Sequence, residues 1–183
     1  MKLSSVALAT CVLLAAGCDK PADDNGLNGS AAFESRYVGL AAQTTLITGA
    51  TILTGTGERL DNTDLLLVDG KIAEIGTGLS AAGADVVDAE GRWVTPGVID
   101  VHSHLGVYAS PGTQSHCDGN VATAPVTAQV WGEHSVWPND QGFTTALAGG
   151  VTAMQILPGS SNLIGGRGVT LKNVPGRNVM DMK

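Results

Sequence analysis

From Thr44 onward the apolar positions fall in short blocks with the period of strands, and the period changes once. Thr45-Leu46-Ile47 and Ala50-Thr51-Ile52-Leu53 are strand-like blocks with a turn residue, Gly49, between them. Asp64-Leu65-Leu66-Leu67-Val68 runs into Asp69-Gly70, a two-residue hairpin signal, and residues 71–76 alternate as the returning strand should. Residues 85–89 and 92–94 add two further short strands. The stretch 44–97 therefore predicts part of a small composite β-sandwich, with Asp61, Asp64, Asp69 and Asp88 at turns or exposed faces. Pro96-Gly97 punctuates, a β-branched strand begins at Val98, and a long Gly- and Pro-containing stretch follows from Leu105 to Pro138. Asn139 or Asp140 suits a helix N-cap; Phe143, Ala146 and Leu147 share one helical face, and Gly149-Gly150 ends the helix. Val151 to Leu157 reads as a buried strand, so strand, helix and strand form a βαβ unit with parallel strands. A loop over 158–168 and a short strand, Val169 to Lys172, complete the pattern.

Ahead of these blocks the pattern is of another kind. Lys2, an apolar run from Val6 to Leu14, then Ala15-Ala16-Gly17 and Cys18 resemble a bacterial signal peptide over 1–17 with a lipobox. The run is too short to span a bilayer of about 30 Å. Cys18 is the expected lipidation site, and a lipid chain there would anchor the protein without a spanning helix. An ordinary secretory signal cut near Gly17 is the plainer reading. Residues 18–43, rich in Asp, Asn, Gly, Ser and Ala, read as a lipid-anchored flexible tether. The expected location is the bacterial cell envelope, periplasmic or extracellular.

Charge narrows the partners. The chain of 183 residues carries a formal net charge of −7 and has no Lys/Arg cluster, which argues against nucleic acid as a partner. Three cysteines are present; with Cys11 in the signal and Cys18 lipidated, only Cys117 remains, so the fold needs no internal disulfide.

The chemistry concentrates in Thr95-Pro96-Gly97-Val98-Ile99-Asp100-Val101-His102-Ser103-His104. In a strand, residues two apart share a face, so Asp100, His102 and His104 line up. Two neutral imidazoles so placed reach one divalent cation, half of a metal site; two satisfied core or surface histidines are the plainer alternative. In the long loop, His116, Glu133 and His134 are candidates for substrate or metal contact, against solvated loop positions. Asn162 and Arg167 follow the second strand of the βαβ unit, and Arg167 suits a substrate carboxylate. Gly165-Gly166-Arg167-Gly168 lacks the Gly-Lys-Ser/Thr ending of a phosphate loop. Trp131 and Trp137 suit packing of the loop.

The order of a β-rich lead, the Pro-Gly-Val-Ile-Asp-Val-His-Ser-His strand and a βα unit resembles the N-terminal portion of the amidohydrolase superfamily of metal-dependent hydrolases. Gly149-Gly150-Val151-Thr152-Ala153 is similar to its imidazolonepropionase- and prolidase-like branches, and Pro158 to Gly166 to a signature of secreted members. The resemblance implies an α/β fold, a (β/α)8 barrel beside the composite β-sandwich, with the active site at the C-terminal ends of the strands. It implies that His102 and His104 bind one or two divalent ions, zinc foremost, that Asp100 supports the strand, and that a metal-activated water cleaves a C–N bond in a small amide, cyclic amide or dipeptide-like substrate.

A barrel takes about 250 residues, so residues 98–183 are expected to hold only its first β/α units. The remaining ligands and the catalytic acid or base are expected beyond Lys183, and the chain alone is expected to be an inactive fragment. The competing class is a non-enzymatic envelope lipoprotein, an interaction module retaining a barrel remnant. The sequence assigns no oligomeric state.

Overall fold

The computed structural model describes residues 32–117 and 119–183. The signal, Cys18 and most of the tether lie outside the described residues.

The first sheet grows from β1 (Thr45–Leu53). β2 (Arg59–Val68) pairs with it antiparallel, and β3 (Lys71–Gly76) pairs antiparallel with β2 across Asp69-Gly70. Both turn residues have positive φ, 51° and 71°, as a tight hairpin whose twist matches its strands requires. β4 (Asp85–Asp88) and β5 (Trp93–Val94) both pair parallel to β1. The stretch expected to be part of a sandwich forms one mixed five-stranded sheet.

Gly49 does not end a strand. It lies inside β1 at φ 61°, where the register with β2 shifts, and its N–H donates to Asp64 Oδ1 at 2.9 Å. Asp64 is correspondingly not a turn or surface residue: it is buried, and its Oδ2 accepts Leu79 N–H at 3.0 Å. These main-chain donors, Gly49 first and Leu79 second, hold the Asp64 carboxyl below its ordinary pKa, because they favour the charged form.

The second sheet carries the βαβ unit. β6 (Val98–Ser103) pairs parallel with β7 (Val151–Ile156), and α1 (Gln141–Ala148) connects them. Asp140 is the N-cap, its side chain accepting Gly142 N–H, and Gly149 caps the end. β8 (Val169–Lys172) pairs with β7 antiparallel. A third strand of a (β/α)8 barrel would run parallel; here the 158–168 loop turns the chain straight back, so β8 is a hairpin return.

Val107, Phe143, Met154, Ile156, Leu171 and Met182 form the core of this half. Val179 and Met182 come from α2 (Val179–Met182), a single turn that sequence periodicity is too short to show. β6 is an edge strand whose Ile99 and Val101 are exposed. The end of the stretch assigned to the tether is held down: Arg36 N–H donates to Met180 O, and Lys183 Nζ donates to Phe33 O and pairs with Glu133 at 2.6 Å. Among the described residues no helix is long and apolar enough to cross a membrane.

Candidate functional site

His102 lies near the C-terminal end of β6 and His104 just past it. Asp100 Oδ1 accepts His102 N–H at 3.0 Å, so the carboxylate holds the main chain that carries the first imidazole. The rings of His102 and His104 stand 5.3 Å apart between centroids, nearly perpendicular.

Leu157, directly after β7, grips the last residue of β6 and the residue that follows it. Its N–H donates to Ser103 O at 2.9 Å, and its carbonyl lies 2.8 Å from His104 Nδ1. A carbonyl only accepts, so this hydrogen bond assigns the proton to Nδ1 and leaves the Nε2 lone pair for another partner.

The donor chemistry fits a divalent ion in part. Two imidazoles sharing a tetrahedral zinc at about 2.0–2.1 Å hold their ring centres about 5 Å apart, and the observed separation is 5.3 Å. Among the described residues no group of three or more His, Cys, Asp or Glu is arranged around one ion, so this pair supplies two donors.

After His104 the chain makes a tight turn. Tyr108 N–H donates to His104 O at 2.9 Å, and Gly106 adopts φ 78°. Gly106 is tightly packed: a Cβ there would stand 2.9 Å from Val136 Cγ1 and 3.1 Å from the Phe143 ring. The turn hangs from Asp140, a residue read from sequence only as a helix cap. Its Oδ2 accepts Gly106 N–H at 2.8 Å, and its Oδ1 accepts Ser110 N–H at 2.8 Å and Gly142 N–H at 2.9 Å. One buried carboxylate thus joins the start of α1 to the turn beyond the His pair. A hollow of about 200 Å³ opens beside Tyr108, lined also by Gln114, His116 and Cys117.

The other sequence candidates lie in different surroundings. His116 lies tilted against Trp137, with ring centroids 4.5 Å apart. His134 lies tilted against the Phe33 ring, with centroids 4.6 Å apart, and 3.8 Å from Glu133. Glu133 is buried and pairs with Lys183. The Asn162 Nδ2 donates to the carbonyls of Val121 and Ala124 at 2.6 and 2.7 Å, pinning the long loop against the 158–168 segment. Arg167 lies 4.5 Å over Trp131 and donates to Ala128 O. The side-chain contacts of Asn162 and Arg167 run to the long loop, at Val121, Ala124, Ala128 and Trp131, and not to His102 or His104 among the described residues.

The class that emerges is a parallel βαβ unit bearing an Asp-x-His-x-His pair at the C-terminal end of its first strand. No protein-family model matches the chain. Individual proteins do, and they carry amidohydrolase-superfamily names. Over 119 residues, 63% of the chain and 12% of the relative, it is 36% identical to amidohydrolase tasK of Hapsidospora irregularis. Over 62 residues, 34% of the chain and 13% of the relative, it is 52% identical to the D-hydantoinase of Geobacillus stearothermophilus. Over 60 residues, 33% of the chain and 14% of the relative, it is 45% identical to the dihydroorotase of Pelotomaculum thermopropionicum. The fold matches the crystal structure of an amidohydrolase from Thermotoga maritima MSB8 with a TM-score of 0.68 at 35% identity, over 75% of this chain and 35% of that one. The chain is thus homologous to amidohydrolase-superfamily proteins. It spans between 12% and 14% of the length of these three curated relatives.

Proposed function

We propose that the chain supplies the first part of a metal-dependent amidohydrolase site acting on a C–N bond of a small molecule. The observation that carries this reading is the His102–His104 pair with His104 held at Nδ1 by the Leu157 carbonyl, in a chain whose curated relatives are amidohydrolases, dihydroorotases and hydantoinases. Cyclic amides come first as the substrate class, because two of those relatives are named for dihydroorotate and hydantoin. The Gly149–Ala153 run keeps imidazolones and prolyl dipeptides in the substrate panel.

A divalent ion, zinc foremost, would lower the pKa of a water and polarise the scissile carbonyl. His102 and His104 would hold it, Leu157 keeps His104 in the Nδ1–H form, and Asp100 fixes the main chain of His102. Further ligands and the acid or base would come from barrel strands beside β6, whose exposed Ile99 and Val101 offer an apolar face for them. Cys18 would carry a lipid and place the enzyme in the cell envelope.

Zinc binding with His102→Ala and His104→Ala tests the ion, and hydrolysis of a dihydropyrimidine, hydantoin, imidazolone and prolyl dipeptide panel tests the reaction. Zinc bound stoichiometrically and lost in both variants is the expected outcome. Zinc binding unchanged in both variants refutes the reading and leaves the interaction-module alternative.

A further inference from the structure

The side chain nearest the His pair with no task in the chemistry above is Tyr108. Its backbone is brought back to His104 by the Tyr108 N–H to His104 O hydrogen bond. Its ring then meets the His104 imidazole edge-on, with centroids 5.5 Å apart and planes at 88°. Two glycines press on the tyrosine. A Cβ on Gly119 would overlap the Tyr108 ring, and a Cβ on Gly159 would overlap its hydroxyl and the Asn120 carboxamide oxygen. Gly159 lies two residues past Leu157, whose carbonyl holds Nδ1 of His104. The imidazole is therefore gripped at one nitrogen by Leu157 and against its ring by Tyr108. Rotating it would break the first contact and collide with the second. The Tyr108 hydroxyl makes no hydrogen bond among the described residues, so the wedge is the ring itself.

Resting on the metal reading above, we propose that Tyr108 is a positioning residue: its ring, backed by Gly119 and Gly159, locks His104 in the Nδ1–H tautomer with Nε2 presented to the ion. The glycines are required because the space a side chain would take is filled by the tyrosine.

The test uses the whole chain and two readouts. Long-range proton–nitrogen NMR of the chelator-treated protein at alkaline pH, where imidazole is neutral, reports the His104 tautomer. Titration calorimetry with zinc reports affinity. Wild type and Tyr108→Phe are expected to show the Nδ1–H form and to agree in zinc affinity within about twofold, because both keep the ring. Tyr108→Leu is expected to show mixed tautomers and to lose about tenfold or more in affinity, the scale typical of lost ligand-orienting partners. Should circular dichroism show that Tyr108→Leu does not fold, Gly159→Ala takes its place, since it keeps the tyrosine but displaces it, and the same losses are expected. Retention of tautomer and affinity in Tyr108→Leu or Gly159→Ala overturns the proposal, as does a loss of both in Tyr108→Phe. If wild type binds no zinc, or binds it regardless of His104→Ala, the metal reading fails, and the tautomer spectra alone then decide whether Tyr108 locks the ring.

Discussion

Replacing Asp140 tests whether the turn beyond the His pair is held from the start of α1. The residue is 2% exposed and its carboxylate accepts three main-chain N–H groups, from Gly106, Ser110 and Gly142, at 2.8, 2.8 and 2.9 Å. Hydrogen bonds to a charged acceptor contribute about 1.5–3 kcal/mol each, and an N-cap about 1 kcal/mol. The Ser110 and Gly142 donors are only partly buried and recruit water when the carboxylate goes. Asp140→Ala is therefore expected to cost about 3–5 kcal/mol, a large share of a total stability of about 5–15 kcal/mol. Asp140→Asn keeps the oxygen shared by Ser110 and Gly142 but turns an NH₂ toward Gly106 N–H, for a cost of about 1–2 kcal/mol. Urea unfolding followed by far-UV circular dichroism at neutral pH gives both values, with Asn139→Ala as a neighbouring exposed control. If Asp140→Ala falls within about 0.5 kcal/mol of wild type, the ordinary range of surface changes, the three bonds do not hold the turn. Equal costs for Ala and Asn would show that charge, and not the number of accepting oxygens, is what matters.

Gly106→Ala combines a positive φ with a Cβ 2.9 Å from Val136 Cγ1, and is expected to destabilise by about 2–4 kcal/mol in the same assay; a cost under about 0.5 kcal/mol contradicts the packing. Asp64, held below its ordinary pKa by Gly49 and Leu79 N–H, contributes stability that is complete above that ordinary value and is lost as pH falls through the lowered one. Asp64→Asn is accordingly expected to lower stability at neutral pH and to flatten its fall in acid, and an unchanged acid unfolding curve sinks the assignment. Glu133→Ala leaves Lys183 without its carboxylate and Phe33 N–H without its acceptor, so limited proteolysis between 32 and 43 should quicken well ahead of cleavage elsewhere. Equal cutting rates in wild type and variant would show that this segment is not held by Glu133.

What the sequence made legible was local. The Asp69-Gly70 hairpin, the Asp140 cap and the glycine end of α1 each depend on residues within a turn or a strand of one another. Strand period 2 says which residues share a face and nothing about direction, so it gave no sign that β8 returns antiparallel to β7. The burial of Asp64 had no signal either, because its partners Gly49 and Leu79 lie 15 residues away on either side. The same holds for Asp140, whose Gly106 and Ser110 donors are 34 and 30 residues distant. Tyr108 is the instructive intermediate. A glycine two residues past His104 and an aromatic four past it is a local pattern, and a tight turn with positive φ at Gly106 brings such an aromatic back toward the histidine. What sequence alone did not show is that Gly119 and Gly159, from the long loop and from the segment after β7, close on the ring from elsewhere in the chain. A strand can therefore show its histidines in the sequence while the packing around them stays hidden until the fold brings distant glycines together.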